Sequence, residues 1–217
     1  MRTTHISAFD LDGTLLVGSS SYQFCKYLSN LKVLPFYSTS LSALYYLQHH
    51  YFSLPLKDLH NKVFQRLLIG LPLNDLEKHV QGFLDQFLPG ALFFPLVNAL
   101  RLAQHLGHYT LILSNSPSFL VEPIAKYFGV DEWKATVYGV DKDQKLCNIR
   151  SILEGEDKAL FLQHLAEKLG VGLNEVTAYS DSSLDLPFLR SAGQAVAVRP
   201  DKKLRRYSLK QHWKIIE

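Results

Sequence analysis

The chain of 217 residues has only two cysteines, Cys25 and Cys147, at no metal-type or redox-type spacing. A disulfide framework and a cysteine-built zinc site are thereby excluded. Two free thiols of a reducing compartment are expected, with one Cys25–Cys147 disulfide as the alternative. A dominant charge is also missing. Lys and Arg number 23 against 20 Asp and Glu, a net +3 that is too weak a field to argue for nucleic acid. No segment qualifies as a membrane span. The nearest approach is residues 33–56, 24 positions without Asp, Glu, Lys or Arg. A spanning helix needs about 20 predominantly apolar residues, and Pro35, Pro55, Gln48, His49, His50 and several hydroxyl residues interrupt this one. A buried or interfacial helix pair is expected there. Met1-Arg2-Thr3-Thr4-His5 runs straight into an apolar segment and leaves no room for a signal peptide, so the default location is cytoplasmic. Internal repeats and low-complexity linkers are absent.

What the chain does have is 47% hydrophobic residues, enough for one medium domain or a core with a small insert. Apolar runs at 6–9, 109–113, 176–179 and 195–198 read as buried strands. Helical spacing precedes the second run (Leu96, Leu100, Ala103, Leu106) and stops at Gly107. A second helical pattern, 160–169, stops at Gly170. Strands alternating with helices predict a doubly wound parallel α/β sheet with helices on both faces. Residues from about 19 to 89 break the alternation. They offer helical spacing (Leu59-Val63-Leu67, Leu76-Val80-Leu84), no buried strand, and much of the aromatic content: 14 of 26 aromatics fall between Tyr22 and Phe94. The prediction is a core of residues 1–16 and 90–217 with a helical cap, 17–89, over the mouth of the sheet. Residues 133–151 read as a β-hairpin turning at Asp141-Lys142-Asp143-Gln144.

The chemistry sits at the ends of the strands. The first ends Phe9-Asp10-Leu11-Asp12-Gly13-Thr14, two carboxylates one residue apart that repel unless a cation or a proton lies between them. The next strand ends Ser114-Asn115-Ser116, and a third ends Ser180-Asp181-Ser182-Ser183-Leu184-Asp185. In an open parallel sheet, ligands bind beyond the carboxyl ends of the strands, so these groups converge. A calcium loop is excluded, because Leu15, Leu16 and Val17 replace the further oxygens such a loop needs. His49-His50 and His105-x-x-His108 lack a third ligand in reach. The basic run from Lys202 to Lys214 reads as a solvated face, with peripheral contact to anionic lipid left open.

Asp10-Leu11-Asp12-Gly13-Thr14, the strand ending in Ser114, Lys158 at the opening of a helix, and Ser180-Asp181-x-x-x-Asp185 resemble, in order and spacing, the four motifs of the haloacid dehalogenase superfamily. The insert after the first motif is similar to the helical cap of subfamily IB, the phosphoserine phosphatase-like branch. The segments 116–125 and 199–204 resemble a bacterial subfamily that includes histidinol-phosphate and phosphatidylglycerophosphate phosphatases. The resemblance implies a Mg²⁺-dependent phosphomonoester hydrolase working through an aspartyl phosphate. In it Asp10 would be the nucleophile, and Asp12 would protonate the leaving oxygen and then activate water. Asp10, Asp181 and the Asp12 carbonyl would ligate Mg²⁺, with Asp185 supporting the cation through water or orienting its neighbours. Ser114, Asn115 and Lys158 would bind phosphoryl oxygens, and Thr14 would orient the loop. Leu184 stands where related motifs carry an amide. Alternatives are a phosphotransferase using the same intermediate and an inactive phospho-ligand binding protein.

The cap bears on the substrate. No acidic residue lies between Gly13 and Asp58. Phosphoserine phosphatases place a Glu about nine residues after the nucleophile, where this chain has Ser19, and Arg66 is the cap's only arginine. Phosphoserine is disfavoured. An apolar, uncharged cap suits a bulky or lipid-linked phosphate. Gly18, at the junction, is the expected hinge.

Overall fold

The computed structural model describes residues 4–52 and 55–217. Seven strands form one sheet in the order β4-β3-β2-β1-β5-β6-β7. Here β1 is Ile6–Phe9, β2 Tyr109–Pro117, β3 Glu132–Val140, β4 Leu146–Ser151, β5 Val176–Ser180, β6 Gln194–Val198 and β7 Lys214–Ile216. Every pairing is parallel except β3 with β4, the expected hairpin.

The shortest strand to carry motif residues lies at the centre. All four residues of β1 are buried, and they divide between the two faces as a period of two requires. Ile6 and Ala8 join Leu111, Leu113, Val176 and Ala178 in one apolar layer; Phe9 joins Ile112 in the other. Helices cover both layers, which is why these strands read as continuous apolar runs rather than alternating ones. The first layer is closed by α8 (Gly155–Leu169), α9 (Leu186–Arg190) and α10 (Lys202–Lys210), through Leu162, Leu165, Phe188, Leu189 and Leu204. The second is closed by α6 (Phe94–His105), α7 (Ser118–Phe128) and the insert. Gly129 and Gly170 end α7 and α8 in the left-handed conformation, at φ 63° and 67°, which costs glycine nothing.

The insert is helical, comprising α1 (Ser20–Asn30), α2 (Ser38–Phe52), α3 (Leu56–Val63), α4 (Leu73–Glu77) and α5 (Val80–Ala91), with a wider turn of π-helix at Phe64–Leu68. Three expectations need correction. Residues 33–56 hold one helix, α2, and only the first residue of α3; Pro55 separates the two. The spacing Leu76-Val80-Leu84 spans two helices, α4 and α5, broken at Lys78-His79. And α5 runs through Pro89 to Ala91, past the expected boundary at 89. The His49-His50 pair falls where side chains lie outside the described residues.

Two aromatic contacts tie insert to core. Phe24 of α1 meets Phe119 of α7 at 6.1 Å between ring centroids, and Phe64 meets Tyr138 of β3 at 5.1 Å. Such pairs contribute about 0.5–1.5 kcal/mol each beyond area burial. The chain crosses between core and insert twice, side by side: Val17 N–H donates to the Ala91 carbonyl and Phe93 N–H to the Leu15 carbonyl. Gly18 lies beside this junction at φ 84°.

Candidate active site

Register brings the motif residues to one edge. Phe9 pairs with Ile112 on β2 and with Tyr179 on β5, and Asp10 N–H donates to the Tyr179 carbonyl. The next residues along each strand, Asp10, Leu113-Ser114 and Ser180-Asp181, therefore reach this edge together. A cavity of about 780 Å³ opens there, between the strand ends and the insert.

Lys158 is the electrostatic centre. It sits in the first turn of α8, 1% exposed, and donates to Asp10 Oδ1 at 2.7 Å and to Asp185 Oδ2 at 2.8 Å. Burial alone would pull its ammonium down, but the charges of Asp10 and Asp185 outweigh burial and hold it above its ordinary range. Two features seat the lysine. Glu154 and Asp157 form a reciprocal capping box at the start of α8. Gly155 lets that turn approach the acidic loop after β5: a Cβ there would lie 2.2 Å from the Leu184 carbonyl. Asp185 stands at the N-cap position of α9, but its side chain makes no cap bond. It accepts instead from Lys158 and from Ser180 Oγ at 2.7 Å.

The three carboxylates at the mouth have different surroundings. Asp10 is pushed up to about 7, by burial first and by Asp185 and Asp12 second, against the pull of Lys158. Asp181 lies well above its ordinary range through burial and the charges of Asp10 and Asp185. Thr14 Oγ1 lies 3.2 Å from both Asp10 Oδ2 and Asp181 Oδ1, so its single proton serves one at a time. Gly13, at φ 80°, makes room for Asp181: a Cβ would sit 2.1 Å from that carboxylate. Asp12 has no cationic partner within bonding distance. Ser20 N–H donates to its Oδ1 at 2.6 Å and Ser116 Oγ to its Oδ2 at 2.5 Å. Burial raises its pKa, and these donors only offset that.

A cation fits this donor set. Four acidic side chains stand around one buried ammonium that pairs with two of them, and Asp181 has the Thr14 hydroxyl and a backbone N–H but no salt-bridge partner among the described residues. Among the described residues no three His, Cys, Asp or Glu side chains form a closed metal cage. Mg²⁺ usually takes one or two carboxylates and keeps several waters, and Asp10 and Asp181 are the carboxylates that would hold it here.

Every residue expected at the site is brought to this edge, in unequal roles. Ser114 is fully buried and its hydroxyl accepts from Ser116 N–H at 3.1 Å. The cavity wall is Asn115 and Ser116 rather than Ser114, Lys158 or Thr14. Leu184 lines the cavity half-exposed, and its N–H is taken by Ser182 Oγ. The motifs did not reveal four contributors. Ser20 and Ser116 hold Asp12. Asp201 accepts from Ser183 N–H at 2.6 Å and caps α10, tying the acidic loop down. Arg199 Nη2 donates to the Gly13 carbonyl at 2.6 Å and the Leu16 carbonyl at 3.1 Å, while its guanidinium stacks on Phe93 at 4.1 Å. Its signals in the sequence are its place after a buried strand and before Pro200 and its position at the head of the segment 199–204, neither of which assigns it a role.

Arg199 thus clasps the loop that carries Asp12 to the chain re-entering the core. Arg199→Lys keeps the charge but loses the planar fork that reaches two carbonyls while stacking. Turnover should fall roughly tenfold to a hundredfold with a smaller change in KM, as expected when reacting groups are misplaced by a fraction of an ångström. Steady-state kinetics on the purified variant check this.

The comparisons with known proteins agree with this geometry. A family model described as haloacid dehalogenase-like hydrolase matches residues 8–190. A protein of Streptomyces azureus named for inhibition of morphological differentiation is 37% identical over 112 residues, 51% of this chain and 40% of its own length, so the match spans under half of that relative. Two Mycobacterium tuberculosis proteins match along nearly the whole chain. A probable phosphatase is 26% identical over 99% of this chain and 76% of its own length. One named phosphoserine phosphatase is 28% identical over 98% and 70%. Among solved structures, a Bordetella pertussis protein of unknown function superposes with a TM-score of 0.86 at 22% identity, covering 99% of each chain. A substrate-bound phosphoserine phosphatase superposes at 0.73 with 17% identity, covering 100% of this chain and 94% of that one. At these identities the structural matches speak for the fold.

Proposed function

As the chain belongs to the haloacid dehalogenase-like hydrolase family as an enzyme of the phosphatase type, we propose that it hydrolyses phosphomonoesters through an aspartyl phosphate on Asp10, with Mg²⁺ as cofactor. The observation that carries this reading is the division between the two acids of the first motif. Asp10 is paired with a buried ammonium that favours its anion, the nucleophilic form, against the burial that pushes it up to about 7. Asp12 has no salt-bridge partner among the described residues, and burial raises its carboxyl against the Ser20 and Ser116 donors, which favour the anion. Two neighbouring carboxylates in contrasting environments divide into nucleophile and acid.

In the first step an Asp10 oxygen bonds to phosphorus, the phosphorus–oxygen bond to the leaving group breaks, and Asp12 gives its proton to the departing alkoxide. In the second, water bonds to phosphorus as Asp12 takes its proton, and the bond from phosphorus to Asp10 breaks to release orthophosphate. Lys158 holds Asp10 in place and moderates charge. N–H groups near Leu11, Asp12 and Asn115 would add donors to the phosphoryl oxygens. Asp10, Asp181 and the Asp12 carbonyl would hold Mg²⁺, which would supply charge neutralisation of the phosphoryl group.

The substrate class follows from the roof of the cavity. The insert contributes Ser19, Tyr22, Cys25, Leu56, Leu59 and Val63 there, with no Asp, Glu, Lys or Arg. Ser19 stands where an ammonium-binding Glu is expected, and its hydroxyl is spent capping α1. A zwitterionic amino acid finds no paired charges on that roof, so the preferred ester carries an uncharged or apolar leaving group, a small molecule or a lipid. Phosphate release from p-nitrophenyl phosphate, phosphoserine, histidinol phosphate and phosphatidylglycerophosphate, each with Mg²⁺ and with EDTA, tests this. Mg²⁺-dependent release with phosphoserine among the poorest substrates is expected. Release unaffected by EDTA, or a clear preference for phosphoserine, contradicts it.

The raised carboxylates give a separate signature of the metal. A carboxyl whose folded value is raised leaves the folded state holding more protons than the unfolded one. Its destabilising effect is absent below the ordinary value of 3.8 and grows as pH rises, for Asp10 up to about 7. A cation favours the deprotonated forms and removes that penalty. Mg²⁺ should therefore raise the melting temperature more near about pH 8 than near about pH 5. Melting curves with Mg²⁺ and with EDTA at both values check it.

A further inference from the structure

The outward side of α2 has an unusual composition. Residues Tyr37, Ser40, Leu44 and Leu47 follow one another at helical spacing along it and are exposed, while the buried side carries Ser38 and Ser42. Leu44 and Leu47 face out beside buried Ser38 and Ser42, while Leu41 packs inward on the core. The patch continues beyond the helix through Leu31, 47% exposed, and Phe36, which is 89% exposed. A contiguous apolar surface of this kind on a folded chain marks a contact with something else.

Charge on the page says what that is. From Thr14 to Lys57 there is no Asp or Glu but there are three lysines, Lys26, Lys32 and Lys57, all exposed. The Lys62 ammonium of α3 lies 5.7 Å over the ring of Tyr45 on α2. Apolar side chains rimmed by Lys26, Lys32, Lys57 and Lys62, with Asp58 the one carboxylate between the last two, complement an anionic lipid surface, where aliphatic and aromatic groups enter the headgroup boundary and lysines meet phosphates. Among the described residues no helix is long and apolar enough to cross a membrane, so the contact lies in the plane of the interface. We propose that the helical insert docks on anionic bilayers through Phe36, Tyr37, Leu44 and Leu47, with Lys26 and Lys32 at the rim.

The test is co-sedimentation of the full chain with vesicles of phosphatidylcholine, and with an equal mixture of phosphatidylcholine and phosphatidylglycerol. Binding to the mixed vesicles should exceed binding to neutral ones roughly tenfold and weaken with salt. Phe36→Glu with Leu47→Glu should abolish it, and Lys26→Glu with Lys32→Glu should reduce it roughly tenfold. None of these residues belongs to the catalytic machinery, so release of p-nitrophenol from p-nitrophenyl phosphate should stay at the parent level and certify the fold. Absence of binding to the mixed vesicles, equal binding to both, or binding that survives Phe36→Glu with Leu47→Glu would overturn the proposal. So would a lipid-free dimer that this double variant dissolves, since the face would then belong to a second copy of the chain. The binding readout requires no turnover, so it stands or falls apart from the phosphatase reading.

Discussion

Asp10→Asn abolishes phosphate release, by roughly four orders of magnitude or more, while the protein keeps or gains thermal stability. Both halves follow from the same geometry. An amide cannot displace an alkoxide at phosphorus, and loss of a covalent nucleophile removes an interaction that acts only in the transition state. The side chain is isosteric and its negative charge is buried among Asp12, Asp181 and Asp185, so removing that charge relieves repulsion. Lys158 retains Asp185 as its partner at 2.8 Å. Kinetics and a melting curve on one preparation check the pair of outcomes. A variant that loses turnover by unfolding fails the second half.

Lys158→Met damages both activity and fold. The side chain is 1% exposed and its two partners are 8% and 7% exposed, so none has water to fall back on. Breaking a buried ion pair from one side costs about 3–5 kcal/mol, because the stranded charge is left without compensation. Here two carboxylates are stranded. Urea unfolding should show that loss, and turnover should fall with it because Asp10 is no longer held. Lys158→Met combined with Asp185→Asn leaves one fewer stranded charge, so it should recover part of the stability and none of the activity. Equal stability of the single and double variants would show that Asp185 does not depend on Lys158.

Much of this was legible in the sequence because the signals were local. The buried strand before Asp10 is four residues, three of them apolar, with turn chemistry directly after it, and glycines stop the helices where they were expected. Strand order and register then follow from parallel pairing, which delivers the ends of β1, β2 and β5 to one edge whatever the loops between them do. What escaped was nonlocal. Arg199 reaches Gly13 across 186 positions, and Ser116 reaches Asp12 across 104. No spacing rule connects such residues, and serine or arginine at a strand end is common. The insert was readable as helical, but its breaks were not. Apolar spacing continues from Leu76 to Val80 although the backbone interrupts it, because both residues pack on the same core from different helices. The exposed leucines of α2 escaped for a related reason: periodicity identifies an apolar stripe, and only the fold shows which way the stripe faces.

The account rests on covalent chemistry at Asp10. The most direct test is rapid acid quench of the enzyme during turnover of phosphorus-labelled p-nitrophenyl phosphate, followed by peptide mapping of the label. The prediction is an acid-stable, base-labile acyl phosphate located on Asp10, accumulating further in Asp12→Asn, which lacks the base for its hydrolysis. Full turnover with no label on the protein, or label on any other residue, would contradict it.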